Sequence, residues 1–167
     1  IPMHKLLLVI IFLFSFNSFA GLCERDLESF PVQSQGRTKP YLVMANESIQ
    51  LITGKTSFNN RPATEVLCML SLQSIGIDNE INLPLRVDHV KIKKLLNLKE
   101  SDTSILAKDS IGLKDLVKSE IIKEKQTTSY KKALNKLWFK IDTYEKIIAG
   151  EFWLIVDANL SENNIQW

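Results

Sequence analysis

Chemistry-bearing motifs are scarce in this chain. No Gly-x-Gly-x-x-Gly, no Gly-x-x-x-x-Gly-Lys and no Gly-x-Ser-x-Gly occurs, so glycine-loop nucleotide binding and serine-hydrolase chemistry have no starting point. The absence of Cys-x-x-Cys and Cys-x-x-Cys-His excludes thioredoxin-type thiol exchange and identity as a c-type cytochrome. Histidine is limited to His4 and His89, and cysteine to Cys23 and Cys68, too few for an ordinary zinc site without carboxylates. His89 is read as a first-turn helix residue in preference to a metal or haem ligand. Carboxylate pairs such as Glu24 and Glu28 carry no weight in a chain with 19 acidic residues. Six glycines, five prolines and two cysteines among 167 residues, 45% of them hydrophobic, exclude a collagenous, disulfide-dense or wholly disordered chain.

Long hydrophobic runs are also missing. The longest, Leu6 to Phe16, is broken only by Ser15 and falls well short of the roughly 20 residues that span a bilayer. It follows a short basic segment, His4-Lys5, and leads to Asn17-Ser18-Phe19-Ala20, the pattern of a secretory signal peptide. Residues 1–20 are therefore expected to be a signal peptide or N-terminal anchor, with Met3 as the start and cleavage after Ala20. Leu22 stands where a lipobox before Cys23 needs a small residue, which argues against lipidation. Residues 21–167 are then a single exported, extracytoplasmic domain.

A strong charge of either sign is lacking as well. Removing residues 1–20 takes away only Lys5 and leaves 20 basic against 19 acidic residues, which gives no general reason to expect nucleic acid as a partner. Charge is nevertheless segregated, with 13 lysines and six acids in residues 91–140 against one lysine and five acids in residues 141–167. Solvated helix faces explain this pattern; so would docking to an acidic partner. In an oxidising compartment Cys23 and Cys68 can form a disulfide, although Cys68 within Val66-Leu67-Cys68-Met69-Leu70 also suits a buried free thiol.

The pattern along the chain predicts a mainly α fold with a few short strands (α+β), built from helical hairpins. Glu24 to Phe30 is expected to form a helical turn or two before Pro31. Residues 31–40 read as two extended pieces about a turn at Ser34 to Gly36, with Gly36 at positive φ and Pro40 holding Lys39 extended. Leu42, Ala45, Ile49 and Ile52 have helical spacing, with Gly54 as C-cap. Lys55 to Asn60 is read as a loop. A second helix is expected from Pro62 to Ser74, with Ala63, Val66, Leu67 and Leu70 inward, and residues 75–83 as loop. Leu83 to Val87 reads as a strand, Asp88 as the N-cap of a short helix from His89 to Leu96, and Thr103 to Ala107 as a weaker extended stretch. A helix from Ser110 to Lys125 would place Leu113, Leu116, Val117 and Ile121 on one side. Tyr130, Leu134, Leu137, Ile141, Tyr144 and Ile148 give the clearest periodicity, ended by Gly150. Phe152 to Val156 is expected to be a strand that can pair with residues 83–87. Asp157 to Trp167 reads as irregular, and the abrupt finish at Trp167 suggests a chain truncated at its C-terminus.

The stretch Phe30-Pro31-Val32-Gln33-Ser34-Gln35-Gly36-Arg37-Thr38-Lys39-Pro40, then an amphipathic helix and Ile52-Thr53-Gly54-Lys55-Thr56-Ser57-Phe58, resembles a periplasmic segment of the fused Ccs-type (ResB/CcsA, system II) cytochrome c biogenesis proteins. A Leu-Pro-Val-Gln-x-x-Gly-Arg-x-Lys-Pro-Leu-like element there precedes a helix, a Thr-Gly-Lys-like loop and a helix beginning near Pro. Residues 134–150, 152–156 and Trp167 look similar to later features of that family. Tyr41 stands where the family often has Leu, and the tryptophan-rich haem-handling motif and transmembrane histidines have no counterpart. The resemblance implies a periplasmic, non-catalytic part of a haem delivery and attachment complex, an accessory to a holocytochrome c synthetase and not the synthetase itself. Its implied partners are the membrane-embedded biogenesis machinery and apocytochrome c, with haem entering through that larger assembly and no cofactor assigned to this segment.

The same residues have a physical account. Arg37 and Lys39 lie two apart in an extended chain and project to one side, and Tyr41 would continue the alternation. Such a set can hold haem propionates or an acidic stretch of a partner. The plainer reading is that Arg37 and Lys39 pair with acids of their own domain, while Gly36 and Pro40 shape a turn. A secreted or periplasmic module that docks an acidic partner, unrelated to haem, is the competing function.

Overall fold

The computed structural model describes residue 23 and residues 27–34, 36–77, 81–123, 126–152 and 154–155. The expected signal or anchor at residues 1–20, the helical start at Glu24, the loop at residues 78–80, the strand end at Val156 and the irregular tail to Trp167 lie outside these residues.

A hairpin opens the fold. Strand β1, Pro31–Ser34, pairs antiparallel with β2, Arg37–Pro40, from Pro31 opposite Pro40 to Ser34 opposite Arg37. This register closes the turn at Gly36, whose φ of 75° is the left-handed conformation that glycine adopts freely. Helix α1, Tyr41–Thr53, follows without a loop. Pro40 offers its N-terminus no side-chain cap, and the carbonyls of Phe30 and Glu28 accept from the N–H groups of Tyr41 and Leu42. The short turn before the hairpin thereby satisfies groups that a helix start leaves open.

α1 buries Tyr41, Met44, Ala45, Ser48, Ile49 and Ile52 and ends at Gly54, φ 80°. Leu42, which shares the helical spacing of Ala45, Ile49 and Ile52, is exposed. The inward face starts one residue earlier, at Tyr41, so that Leu42 falls on the solvent side. The segment expected as a loop contains a second hairpin, β3, Ser57–Phe58, with β4, Arg61–Pro62. Asn59 and Asn60 both take positive φ in its turn, as a two-residue hairpin requires. Helix α2, Ala63–Ser71, continues as a 3₁₀ turn over Leu72–Ile75, and Ala63, Val66, Leu67 and Leu70 are all buried. Cys68 on this helix is joined to Cys23 by a disulfide.

Strand β5, Pro84–Arg86, pairs with β6, Ser104–Leu106, and not with the last strand. Between them lies α3, Val90–Leu95, whose N-cap is His89 and not Asp88. Asp88 is engaged by Arg86 instead. The helix expected as one piece from Ser110 to Lys125 is broken into α4, Ala107–Ser110, a 3₁₀ turn at Ile111–Leu113, and α5, Lys114–Ile122. Val117 and Glu120 are its buried residues, while Leu116 is exposed. The longest element, α6, Thr128–Ile148, forms a helical hairpin with α5 and buries Tyr130, Leu134, Leu137, Ile141, Tyr144 and Ile147. Each such side chain contributes about 1.5–3 kcal/mol of hydrophobic stabilisation. Strand β7, Leu154–Ile155, returns to the free edge of β1, giving the order β2-β1-β7. The molecule is mainly α with a few short antiparallel strands. Among the described residues no helix is long and apolar enough to cross a membrane.

Candidate functional site

The first hairpin carries Arg37, Lys39 and, immediately after it, Tyr41. Its inner side is held by Val32 and Ser34, both buried, while Gln33 between them is exposed. The three residues expected together are separated. Arg37 is exposed next to the Gly36 turn and has no ion-pair partner among the described residues. Lys39 donates to the Glu47 carboxylate of α1 at 2.5 Å, the pairing within the domain that the plainer reading anticipates. Tyr41 is 1% exposed, and its hydroxyl donates to the Thr64 carbonyl at 3.3 Å. Strand alternation stops at Pro40; as the first residue of α1, Tyr41 follows the helix face into the core. Tyr41 therefore does not stand beside Arg37 and Lys39 as a surface ligand. Gly36 and Pro40 occupy the turn and the strand-to-helix junction.

His89 acts as a cap. Its Nδ1 accepts from the Lys91 N–H at 3.2 Å, and its ring lies 5.4 Å from that of Tyr130. Among the described residues no group of three or more His, Cys, Asp or Glu is placed to hold a metal ion.

A second polar centre lies where β5 and the start of α3 meet α6. One concavity of about 310 Å³ is lined by Val87, Ile92, Ala133 and Leu137 on its apolar side and by Arg86, Lys136 and Lys140 on its charged side. A wider one of about 510 Å³, reaching α1 at Glu47 and Gly54, shares Arg86, Asp88, Lys136 and Lys140 with it. Gly54 lets Arg86 lie close, since a Cβ at residue 54 would stand 3.0 Å from the Arg86 Cδ. Arg86 Nε donates to Asp88 at 2.7 Å. Lys140 is 5% exposed, and its Nζ donates to the Arg86 carbonyl at 2.7 Å. Burial pushes the Lys140 ammonium down to a pKa of about 8, Lys136 and Arg86 push the same way, and Asp88 pulls back.

Sequence reasoning missed this centre. Its only trace there is Lys140 itself, three residues after Leu137 and beside Ile141 on the helix with the clearest apolar periodicity. The partner carbonyl lies 54 residues earlier, a pairing that no local pattern announces. No protein-family model and no curated protein matches the chain.

Proposed function

We propose that the chain is an extracytoplasmic, non-catalytic domain of a cytochrome c biogenesis protein, one that helps to present apocytochrome c or to orient haem at the membrane-embedded machinery. The observation that carries this reading is the form taken by Phe30 to Pro40, the segment of the Ccs-type resemblance. It is a hairpin fastened through Val32 and Ser34 and continued directly by α1, with the exposed Arg37 guanidinium in no ion pair among the described residues. An exposed guanidinium on a fixed backbone suits recognition of a carboxylate, on haem or on a partner. The Cys23–Cys68 disulfide supports an oxidising compartment.

The test is haem attachment in cells that carry only the Arg37→Ala chain. Covalently bound haem c is expected to fall severalfold while the variant accumulates at the normal level and keeps its helical circular dichroism. Normal haem attachment in the Arg37→Ala cells removes the binding role of the hairpin. Normal attachment in cells without the chain removes the biogenesis reading altogether.

One observation favours the second reading, a binding module for an acidic partner unrelated to haem. Lys91, Lys93 and Lys94 of α3 and Lys131, Lys132 and Lys136 of α6 take part in none of the salt bridges among the described residues. Salt-sensitive binding to an acidic polypeptide, with haem attachment independent of the chain, would select it.

A further inference from the structure

The buried charges of this protein are treated unequally. Among the described residues three charged residues are at most 9% exposed: Glu120, Lys140 and Asp142. Glu120 accepts from Lys123 and Gln126, and Asp142 is paired with Lys114 and Lys146 at 2.8 Å each. Among the described residues Lys140 has only the Arg86 carbonyl as a hydrogen-bond partner. An ammonium carries three donors and a full charge, and a buried charge without a counter-ion is costly to keep. Among the described residues no carboxylate forms an ion pair with it, and the pull of Asp88 on the ammonium is outweighed. Arg86 and Lys136 add two further cations to the concavity; Asp88 is the single carboxylate there, and it is bound to Arg86. Glu47, in the wider part, is engaged by Lys39. Beside this surplus of positive charge lies the apolar side made by Val87, Ile92, Ala133 and Leu137. Its volume of about 310 Å³ is at the lower end of the range for small-molecule sites.

We propose that the cleft between β5 and α6 binds a small monocarboxylate with a short apolar tail, its carboxylate bridging the Lys140 ammonium, Lys136 and Arg86, and its tail lying against Val87, Ile92, Ala133 and Leu137. The chemistry has two requirements. A compact, strongly hydrated anion such as phosphate gains nothing from the apolar side, and a neutral chain leaves the Lys140 charge unmatched. The site is independent of Arg37 and of the cytochrome c reading, so either can fail without the other.

The experiment is calorimetric titration of the whole chain with hexanoate, with hexanol and acetate as the tail-only and head-only controls and poly-glutamate as the acidic polymer. Hexanoate is expected to bind saturably, about tenfold or more tighter than either control. Lys140→Met keeps the side-chain stem and is expected to weaken hexanoate by about tenfold or more without lowering the melting temperature. The rim variant Lys136→Gln weakens it by a smaller factor. Should Lys140→Met fail to fold, the unmodified chain still decides the matter. Arg86, Lys136 and His89 line the concavities with Lys140, together with Asp88 and Glu47. With the Lys140 pKa pushed down to about 8, hexanoate affinity is expected to drop between about pH 7 and about pH 10. No saturable binding up to roughly 10 mM hexanoate, equal binding of hexanol, binding of poly-glutamate alone, or an affinity indifferent to Lys140→Met or to alkaline pH would overturn the proposal.

Discussion

Tyr41, Tyr130 and Tyr144, the three tyrosines of the chain, are each at most 5% exposed. Burial raises the pKa of all three above the ordinary phenol value; at Tyr130 the Glu120 carboxylate pushes the same way and Lys123 opposes it. In the unfolded chain these phenols ionise near about pH 10. The sign follows: the folded form holds the protons longer, so the stabilisation is complete below that pH and is lost as the pH rises through the folded values. The protein is expected to unfold cooperatively in alkali, with tyrosinate absorbance appearing together with the loss of helical dichroism. Tyr41→Phe removes the hydrogen bond to Thr64 and should cost about 1 kcal/mol at neutral pH while moving the alkaline midpoint upward. Tyrosinate formation near pH 10 in a chain that stays fully helical would contradict this account. The same residue shows why the expected alternation does not carry Tyr41 to the surface beside Arg37 and Lys39. Alternation is a property of strands, and Tyr41 lies one residue past the end of one.

At the scale of elements, two glycines at positive φ make a controlled comparison. Gly36, φ 75°, has open space where a Cβ would stand, whereas a Cβ at Gly150, φ 73°, would meet Ser74 Oγ at 2.7 Å and Cβ at 2.9 Å. Gly36→Ala is expected to cost the left-handed conformation alone, roughly 1–2 kcal/mol, and Gly150→Ala about 1 kcal/mol more because the end of α6 must also move off the 3₁₀ turn after α2. Urea unfolding of the two variants measures the difference, and equal costs would deny the close approach. Both glycines were legible in advance because a left-handed residue after a helix or inside a hairpin is a local demand. The first hairpin, α1, α2 and α6 were legible for a similar reason: their apolar spacing or turn residues are written within one element. The pairing of β5 with β6, not with β7, was not, since strand partners are chosen by where the helices pack. The β3–β4 hairpin escaped because strands of two residues show no alternation, although Asn59-Asn60 carried the turn signal. The Lys140 cleft, whose parts come from distant segments, was the least legible of all.

For the whole molecule, the Cys23–Cys68 disulfide sets how the two ends of the first half are held. Its 45-residue separation encloses the first hairpin, α1, the β3–β4 hairpin and the start of α2. Closing a loop of that length in the unfolded chain corresponds to about 4 kcal/mol in the chain-entropy account. That is a large share of the roughly 5–15 kcal/mol that typically holds a domain together. The turn it fastens also supplies the Glu28 and Phe30 carbonyls that cap α1, so reduction loosens the helix start as well as the chain before it. Cys23→Ala and Cys68→Ala are expected to lower the urea midpoint to a similar degree, and the double variant hardly further than either, because the two thiols contribute as one bond. Cys68→Ala carries a small additional loss from its buried position against the core. Reduction of the unaltered chain should reproduce the Cys23→Ala curve. If oxidised and reduced chains unfold at the same urea concentration, the bond contributes nothing to the fold. A loss of several kcal/mol would instead mean that the chain reaches its working stability only where thiols are oxidised, which is the condition the extracytoplasmic reading demands.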